Sequence, residues 1–245
     1  MNTVLSLIIL IRLNSLKKDN NYIIADYILY HINEIVDMSI NELARQCFVS
    51  TTSILKFCKL LGFDTYSEFK NTFVLTLKTR NIQLKEKNQH LTKQELLEHI
   101  QSYSKDNNDI EEFKAELDHI IQVIQQYKSI YFYGATFPMS LTTSFTEDMA
   151  LKGYYVNTYI NNYEINQIEE KEGVHIIVTL SGRYIETNRH NYMQITSMKY
   201  PSVLITRKPE NKGNVDYCLQ MPQTISSQYD EIILLLILDY ILLFV

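Results

Sequence analysis

The apolar residues of this chain keep one rhythm up to about residue 127 and another beyond it, and a single architecture cannot satisfy both. In the first stretch they recur at spacings of three and four, the period of a helix face. Ile23, Ile24, Tyr27, Ile28 and Ile32 form one such segment, Phe63, Tyr66, Phe69 and Phe73 another, and Phe113, Leu117, Ile120, Ile121 and Ile124 a third. From Ile130 onward the runs are short and β-rich, at Ile130–Tyr133, Tyr155–Tyr159, Val174–Leu180, Ser202–Thr206 and Tyr217–Met221, with helical lengths between the first four. Strands alternating with helices form a mostly parallel sheet covered on both faces, and such sheets place ligands at the carboxyl ends of their strands. The expected fold is therefore an N-terminal all-α bundle followed by a C-terminal α/β domain, its five-stranded, mostly parallel sheet carrying helices on both faces.

Length and composition agree with two domains. At 245 residues, 46% of them hydrophobic, the chain can bury two ordinary cores, which excludes a disordered or fibrous protein. Six Gly and four Pro are too few for the many tight turns of an all-β chain. Residues 81–108 are polar and charged, as in Lys85-Glu86-Lys87-Asn88-Gln89 and Ser104-Lys105-Asp106-Asn107-Asn108, and read as a linker holding one weakly amphipathic helix near Leu91 to Tyr103. The expected domains are 1–80, the linker 81–108, and 109–245. The apolar run Val4 to Ile11 has no Lys or Arg before it and no small-residue cleavage site after it, so it reads as a packed N-terminal helix; its extent to Leu13 makes it a candidate dimer seam. The apolar run Ile232 to Val245 is shorter than the roughly 20 residues of a membrane-spanning helix and carries Asp239, so a buried helix is expected and no membrane association. Cys47, Cys58 and Cys218 form neither an even disulfide set nor a zinc spacing and read as small buried apolar residues in a reducing cytoplasm.

Charge separates the two halves. The chain carries a net −5, yet residues 1–80 hold more Lys and Arg than Asp and Glu while the remainder is acidic. A basic head on an acidic body fits contact with nucleic acid through the head alone. Within that head, Ser39 followed by Glu42 forms a capping box opening a helix over Ile40 to Gln46, and Ser50 or Thr51 caps another that Gly62 closes. Ala44 is small enough for two helices to cross closely, with Leu43, Val49, Ile54 and Phe57 filling the wedge. The hydroxyls of Ser50, Thr51, Thr52 and Ser53 then cluster at the second helix start, with Lys56 and Lys59 one and two turns on, where they could meet phosphates and base edges. On these residues alone, caps and a solvated lysine face describe the segment as well as a DNA-reading face does.

The full spacing goes further. Ile23-Ala25-Asp26-Tyr27-Ile28, Met38-Ser39-Ile40, Glu42-Leu43-Ala44, Val49-Ser50, Lys56-Phe57-Cys58-Lys59-Leu61-Gly62-Phe63 and Tyr66-Ser67-Glu68-Phe69-Lys70 resemble the N-terminal helix-turn-helix of the RpiR/MurR family of transcription regulators. That resemblance implies a DNA-binding head with contacts from Ser50, Thr51, Thr52, Ser53, Lys56 and Lys59. One position departs from the pattern: the turn carries Phe48 where such motifs place Gly. A positive φ there costs a bulky residue on the order of 1 kcal/mol, so either the turn differs in geometry or Phe48 gains packing.

The same family follows its head with a sugar-isomerase (SIS) domain, and the alternating strands from Ile110 onward are similar to it. The resemblance implies two hydroxyl-rich loops that bind a phosphosugar through backbone N–H groups, Ser/Thr hydroxyls and a helix dipole. Here the first loop is Gly134-Ala135-Thr136-Phe137-Pro138-Met139-Ser140, with Phe137 and Pro138 in place of two serines. The second is Thr179-Leu180-Ser181-Gly182-Arg183-Tyr184, with Tyr184 in place of a threonine and Thr187 one turn later. The candidate ligand residues are Gly134, Thr136, Ser140, Thr179, Ser181, Gly182, Arg183 and Thr187. A phosphosugar held by rearranged contacts, a different metabolite, and a pocket that only dimerises are the three readings.

No metal, cofactor or catalytic residue is expected. His31, His90, His99, His119, His175 and His190 are scattered, Glu169-Glu170-Lys171-Glu172 reads as a charged turn, and Glu147 and Asp148 read as the solvent side of a helix. The resulting expectation is a cytoplasmic, non-enzymatic regulator of carbohydrate metabolism, a homodimer or tetramer on a palindromic double-stranded DNA operator, answering to a small-molecule effector such as a sugar phosphate. The alternatives are an SIS-type phosphosugar isomerase and a regulator whose SIS domain only dimerises.

Overall fold

The computed structural model describes residues 3–15, 18–105, 110–160, 168–208 and 213–245. The expected linker residues Asp106 to Asn108 and the side chain of His90 lie outside the described residues. In chain order the elements are α1 (Thr3–Asn14), α2 (Asn20–Tyr30), α3 (Ile40–Gln46), α4 (Thr51–Leu60), α5 (Tyr66–His90), α6 (Lys93–Ser102) and α7 (Ile110–Tyr127), then β1 (Ser129–Gly134), α8 (Thr136–Ser140), α9 (Thr142–Leu151), β2 (Tyr155–Ile160), β3 (Val174–Thr179), α10 (Arg183–Thr187), α11 (Arg189–Thr196), β4 (Ser202–Thr206), β5 (Tyr217–Gln220) and α12 (Asp230–Phe244). Two compact units result: Met1–Gln89 with Thr146–Tyr155, and His90–Phe145 with Val156–Val245.

Local chemistry starts and stops the helices of the first unit. The Asp19 carboxylate caps α2 by accepting from the Tyr22 N–H at 2.9 Å. At α3 the capping box is complete, the Ser39 hydroxyl accepting from Glu42 N–H at 3.3 Å and the Glu42 carboxylate from Ser39 N–H at 2.7 Å. Gly62, at φ +90°, ends α4 and lets the Phe63 N–H return to the Cys58 carbonyl at 2.9 Å. The core then gathers Leu5, Ile8 and Ile9 of α1, Ile24 and Ile28 of α2, Leu43 of α3, Ile54, Phe57 and Cys58 of α4, and Phe69 and Phe73 of α5. The N-terminal apolar run thus spends one face inside its own unit, and the large hydrophobic it leaves exposed is Leu10.

Two expectations change here. The polar run from Asn81 does not leave the helix: α5 continues to His90, because Gln83 to Lys87 are helix-favouring residues with no Gly or Pro among them, and Leu84 is buried. Glu147 and Asp148, expected to face solvent, are buried at 5% and 1% exposure. Asp148 takes a forked pair of hydrogen bonds from Arg80 at 2.6 and 2.9 Å, and the Ser6 hydroxyl donates to Glu147. Burial raises the Glu147 carboxyl above its usual range, opposed by the Ser6 bond and the Arg80 charge.

In the second unit the sheet order is β2-β1-β3-β4-β5, with β1–β3, β3–β4 and β4–β5 parallel. Every residue of β1, β3 and β4 is buried, so these strands are covered on both faces, with α7 against β1, β3 and β5. The helix expected inside the linker is part of this unit: α6 buries Leu96, Leu97 and Ile100 and packs on α12. Cys47 and Cys58 are buried, their thiols pushed up to about 11 by desolvation, while Cys218 on β5 is only half-buried, at a strand edge rather than in the core.

His175 is fully buried on β3. Its Nε2 lies 2.9 Å from the Lys171 carbonyl, which can only accept, so Nε2 carries the proton and Nδ1 accepts from the Tyr133 hydroxyl at 3.0 Å. Desolvation lowers its pKa below the ordinary 6.5. The unfolded chain then binds this proton at a higher pH than the native one does, so stability from this site is complete above 6.5 and declines as pH falls from there toward the lowered native value. An NMR titration should find the His175 ring neutral at pH values where exposed histidines are charged; co-titration with them contradicts the assignment. Ser50→Ala should cost about 1 kcal/mol in urea unfolding by removing the α4 cap, whereas Thr52→Ala, on the solvent side, should be neutral.

Candidate nucleic-acid interface and ligand loops

The α3–α4 pair is closed by a turn with no slack. The Val49 N–H reaches the Ala44 carbonyl at 2.9 Å, and Phe48 N–H the Arg45 carbonyl at 3.2 Å. Leu43, Ala44, Ile54 and Phe57 are buried in one core where α3 packs on α4, with Val49 partly buried against it, as the wedge reading requires. Phe48 takes φ +55°, so the turn has the geometry that favours Gly, yet its ring is 96% exposed. Neither expected resolution applies: the geometry is the strained one and packing does not offset it.

The hydroxyl cluster divides by role. Ser50 caps α4, its hydroxyl accepting from Ser53 N–H at 3.1 Å, and the two serine hydroxyls lie 3.0 Å apart. Ser53 also accepts from the Asn20 amide of α2 at 3.3 Å. Both serines are thereby tied into the scaffold. Thr52, Lys56 and Lys59 are exposed, and at spacings of four and three they lie along one stripe of α4; Thr51 is half-buried at its start. The structure thus brings Thr52, Lys56 and Lys59 together on a free face and assigns Ser50 and Ser53 to holding it.

Residues beyond the sequence motif join this face. Asn20, Asn21 and Asp19, at the start of α2, line a shallow groove with Ser53, Lys56 and Leu60 of α4. Arg45 is exposed on α3, three residues before Phe48. Asn20 is separated from Ser53 by thirty-three positions, so only the folded bundle puts them together; the signal in the sequence was the pair of amides, Asn20 and Asn21, just ahead of the periodic segment that begins at Ile23.

In the second unit, β1 and β3 lie parallel with Gly134 beside Val178, and β3 and β4 pair Thr179 with Thr206. The two candidate loops therefore leave the same edge of the sheet side by side. Gly134 is required sterically: a Cβ there would sit 2.9 Å from both the Val178 carbonyl oxygen and the Met139 side chain. Gly182, at φ +84°, turns the chain into α10. The hydroxyl hydrogens are largely spoken for. Ser140 donates to the Phe137 carbonyl at 2.7 Å and Thr187 to the Arg183 carbonyl at 2.9 Å, each within its own short helix. Thr136 and Arg183 are exposed, Ser181 is half-buried, and Thr179 is buried.

Tyr184, in the second loop, stands where the resemblance implies a threonine. Its ring is 4% exposed, its hydroxyl is buried with no partner among the described residues, and burial pushes its pKa up to about 12. A buried ring thus stands where the resemblance implies a short, accessible threonine. One cation at this edge was not anticipated: Arg207, just beyond β4, pairs with Asp230 at 2.9 Å and donates to the Leu180 carbonyl at 3.4 Å, while Thr224 donates to Asp230 at 2.6 Å. Its place one residue past a central parallel strand, at the edge from which both loops depart, was the available clue. Among the described residues no group of His, Cys, Asp and Glu is arranged to hold a metal ion, and no helix is long and apolar enough to cross a membrane.

Residues 5–80 match the helix-turn-helix domain of the rpiR family. Over 223 residues the chain is 26% identical to the HTH-type transcriptional regulator GlvR of Bacillus subtilis (strain 168), an alignment covering 86% of this chain and 82% of that protein. Two solved structures are similar at TM-scores of 0.44 and 0.45. They are the Vibrio vulnificus NanR protein complexed with ManNAc-6P, 15% identical with 97% of this chain and 90% of that chain covered, and the sugar isomerase domain of an RpiR transcription factor from Sphaerobacter thermophilus, 10% identical with 66% and 87% covered. Residues 5–80 are therefore the part of this chain that is similar to the rpiR-family helix-turn-helix regulators.

Proposed function

We propose that this chain is a sequence-specific, DNA-binding transcription regulator of carbohydrate metabolism, with α4 as the helix that enters the major groove. The observation that carries the reading is the free stripe of Thr52, Lys56 and Lys59 on a helix whose start is fixed by Ser50 and Ser53. The hydroxyl end suits base edges, and the lysines suit phosphates farther along the groove. The 26% identity to a transcriptional regulator across both units supports regulation rather than catalysis. A homodimer or tetramer in the cytoplasm, reading a palindromic operator with paired α4 helices, completes the reading.

The α/β unit, of sugar-isomerase type, is the sensing body, with a small-molecule effector of the sugar-phosphate class at the edge where Gly134, Thr136 and Ser140 meet Thr179, Ser181, Gly182, Arg183 and Thr187. Support for a ligand there is the parallel exit of the two loops and the presence of Arg183 and Arg207 at that edge. A second reading, in which this unit serves only to dimerise, is favoured by the buried Tyr184 ring and the internally bonded Ser140 and Thr187 hydroxyls.

Mobility-shift titrations test the head. Lys56→Ala should weaken binding to any duplex and reduce the slope of affinity against salt by about one counterion. Thr52→Ala should instead alter the preferred sequence. No effect from either variant would refute α4 as the reading helix. For the body, thermal-shift measurements with a panel of sugar phosphates should stabilise the wild-type chain and not Ser181→Ala; a flat panel would leave the dimerisation reading standing. Turnover of any of these compounds would restore the isomerase alternative.

A further inference from the structure

The ring of Phe48 is the most exposed large hydrophobic among the described residues, at 96%, and it sits at φ +55° in the turn between α3 and α4. The backbone on either side is fixed, Phe48 N–H to the Arg45 carbonyl and Val49 N–H to the Ala44 carbonyl, so the residue cannot relax its φ without breaking the turn. In the free chain the side chain therefore adds backbone strain and solvent-exposed apolar surface while contributing no packing. Glycine would relieve both. Among the described residues nothing packs on the ring to offset that strain.

The neighbours specify that partner's chemistry. Arg45, three residues before, is exposed; Thr51 and Thr52 begin α4 three and four residues after; Lys56 and Lys59 continue the face. Cation and hydroxyl groups bracket the ring on both sides, which suits a polyanion carrying apolar surface between its charges. A duplex offers this in the deoxyribose rings and thymine methyls that alternate with its phosphates. We propose that Phe48 is a DNA-contacting residue that packs its ring on the sugar and thymine-methyl surface beside the start of α4. The inference rests on the DNA-binding reading above and extends it to a residue outside the polar face.

The chain contains no Trp, so Phe48→Trp introduces a single fluorescent reporter at this position. Titrated with short duplexes selected by the full-length protein from a random pool, its emission should change and saturate at the midpoint seen by mobility shift. Phe48→Ala should lower affinity about threefold to tenfold, from the lost apolar contact, with the salt slope unchanged because no counterion is released. Phe48→Gly should lower affinity likewise while raising the melting temperature, so that binding and stability move in opposite directions. Unchanged emission at saturating duplex, or wild-type affinity in Phe48→Ala, overturns the proposal. An emission change that follows protein concentration without DNA also overturns it, assigning the ring to a second copy of the chain. Failure of the wild-type protein to select any duplex is a different result, since it removes the DNA-binding reading itself.

Discussion

The turn from Cys47 to Ser50 is the constraint on which the rest of the first unit depends. Four residues must reverse the chain between α3 and α4, satisfy the end of one helix and cap the start of the next. They do so through the Val49 bond to Ala44 and the Ser50 bond to Ser53, at the expense of a left-handed Phe48. With the two helices held at that angle, Leu43, Ile54 and Phe57 meet in the core and Thr52, Lys56 and Lys59 are forced onto the outer face. The buried side makes a bundle, and the outer side presents Thr52, Lys56 and Lys59 together with the exposed Leu55 and Leu60.

The second unit obeys a different logic. The strands β1, β3 and β4 are buried along their whole length, so the accessible groups of this edge lie in the loops at the strand ends. Those loops carry glycines that the backbone demands, Gly134 because a side chain has no room and Gly182 because φ is positive. At this edge Tyr184 is turned inward and Arg207 is anchored by Asp230.

What could be read from the sequence follows the range of the interactions. Ser39 with Glu42, and Ser50 before Thr51, are local caps, and the helices begin where those residues place them. The periodic segments of α7 and the strands were legible for the same reason. The end of α5 was not, since Lys85-Glu86-Lys87 is equally consistent with a solvated linker and with a solvated helix, and the buried Leu84 decides it only after folding. Asp148 looked like a surface carboxylate because its partner, Arg80, lies sixty-eight positions away. At Phe48 the strain was foreseeable from the turn pattern, whereas the full exposure of the ring was not. At Thr187 and Ser140 the residue types were right for a ligand, but bonds within their own helices engage them.

Amide hydrogen exchange on the full chain, with and without a selected duplex, tests the central claim most directly. If α4 is the reading helix, exchange should slow on DNA binding at Phe48 through Lys59 and at the start of α2 around Asn20, with the buried segments of α5 unchanged. A duplex that binds while those amides exchange at their free rates would contradict the account.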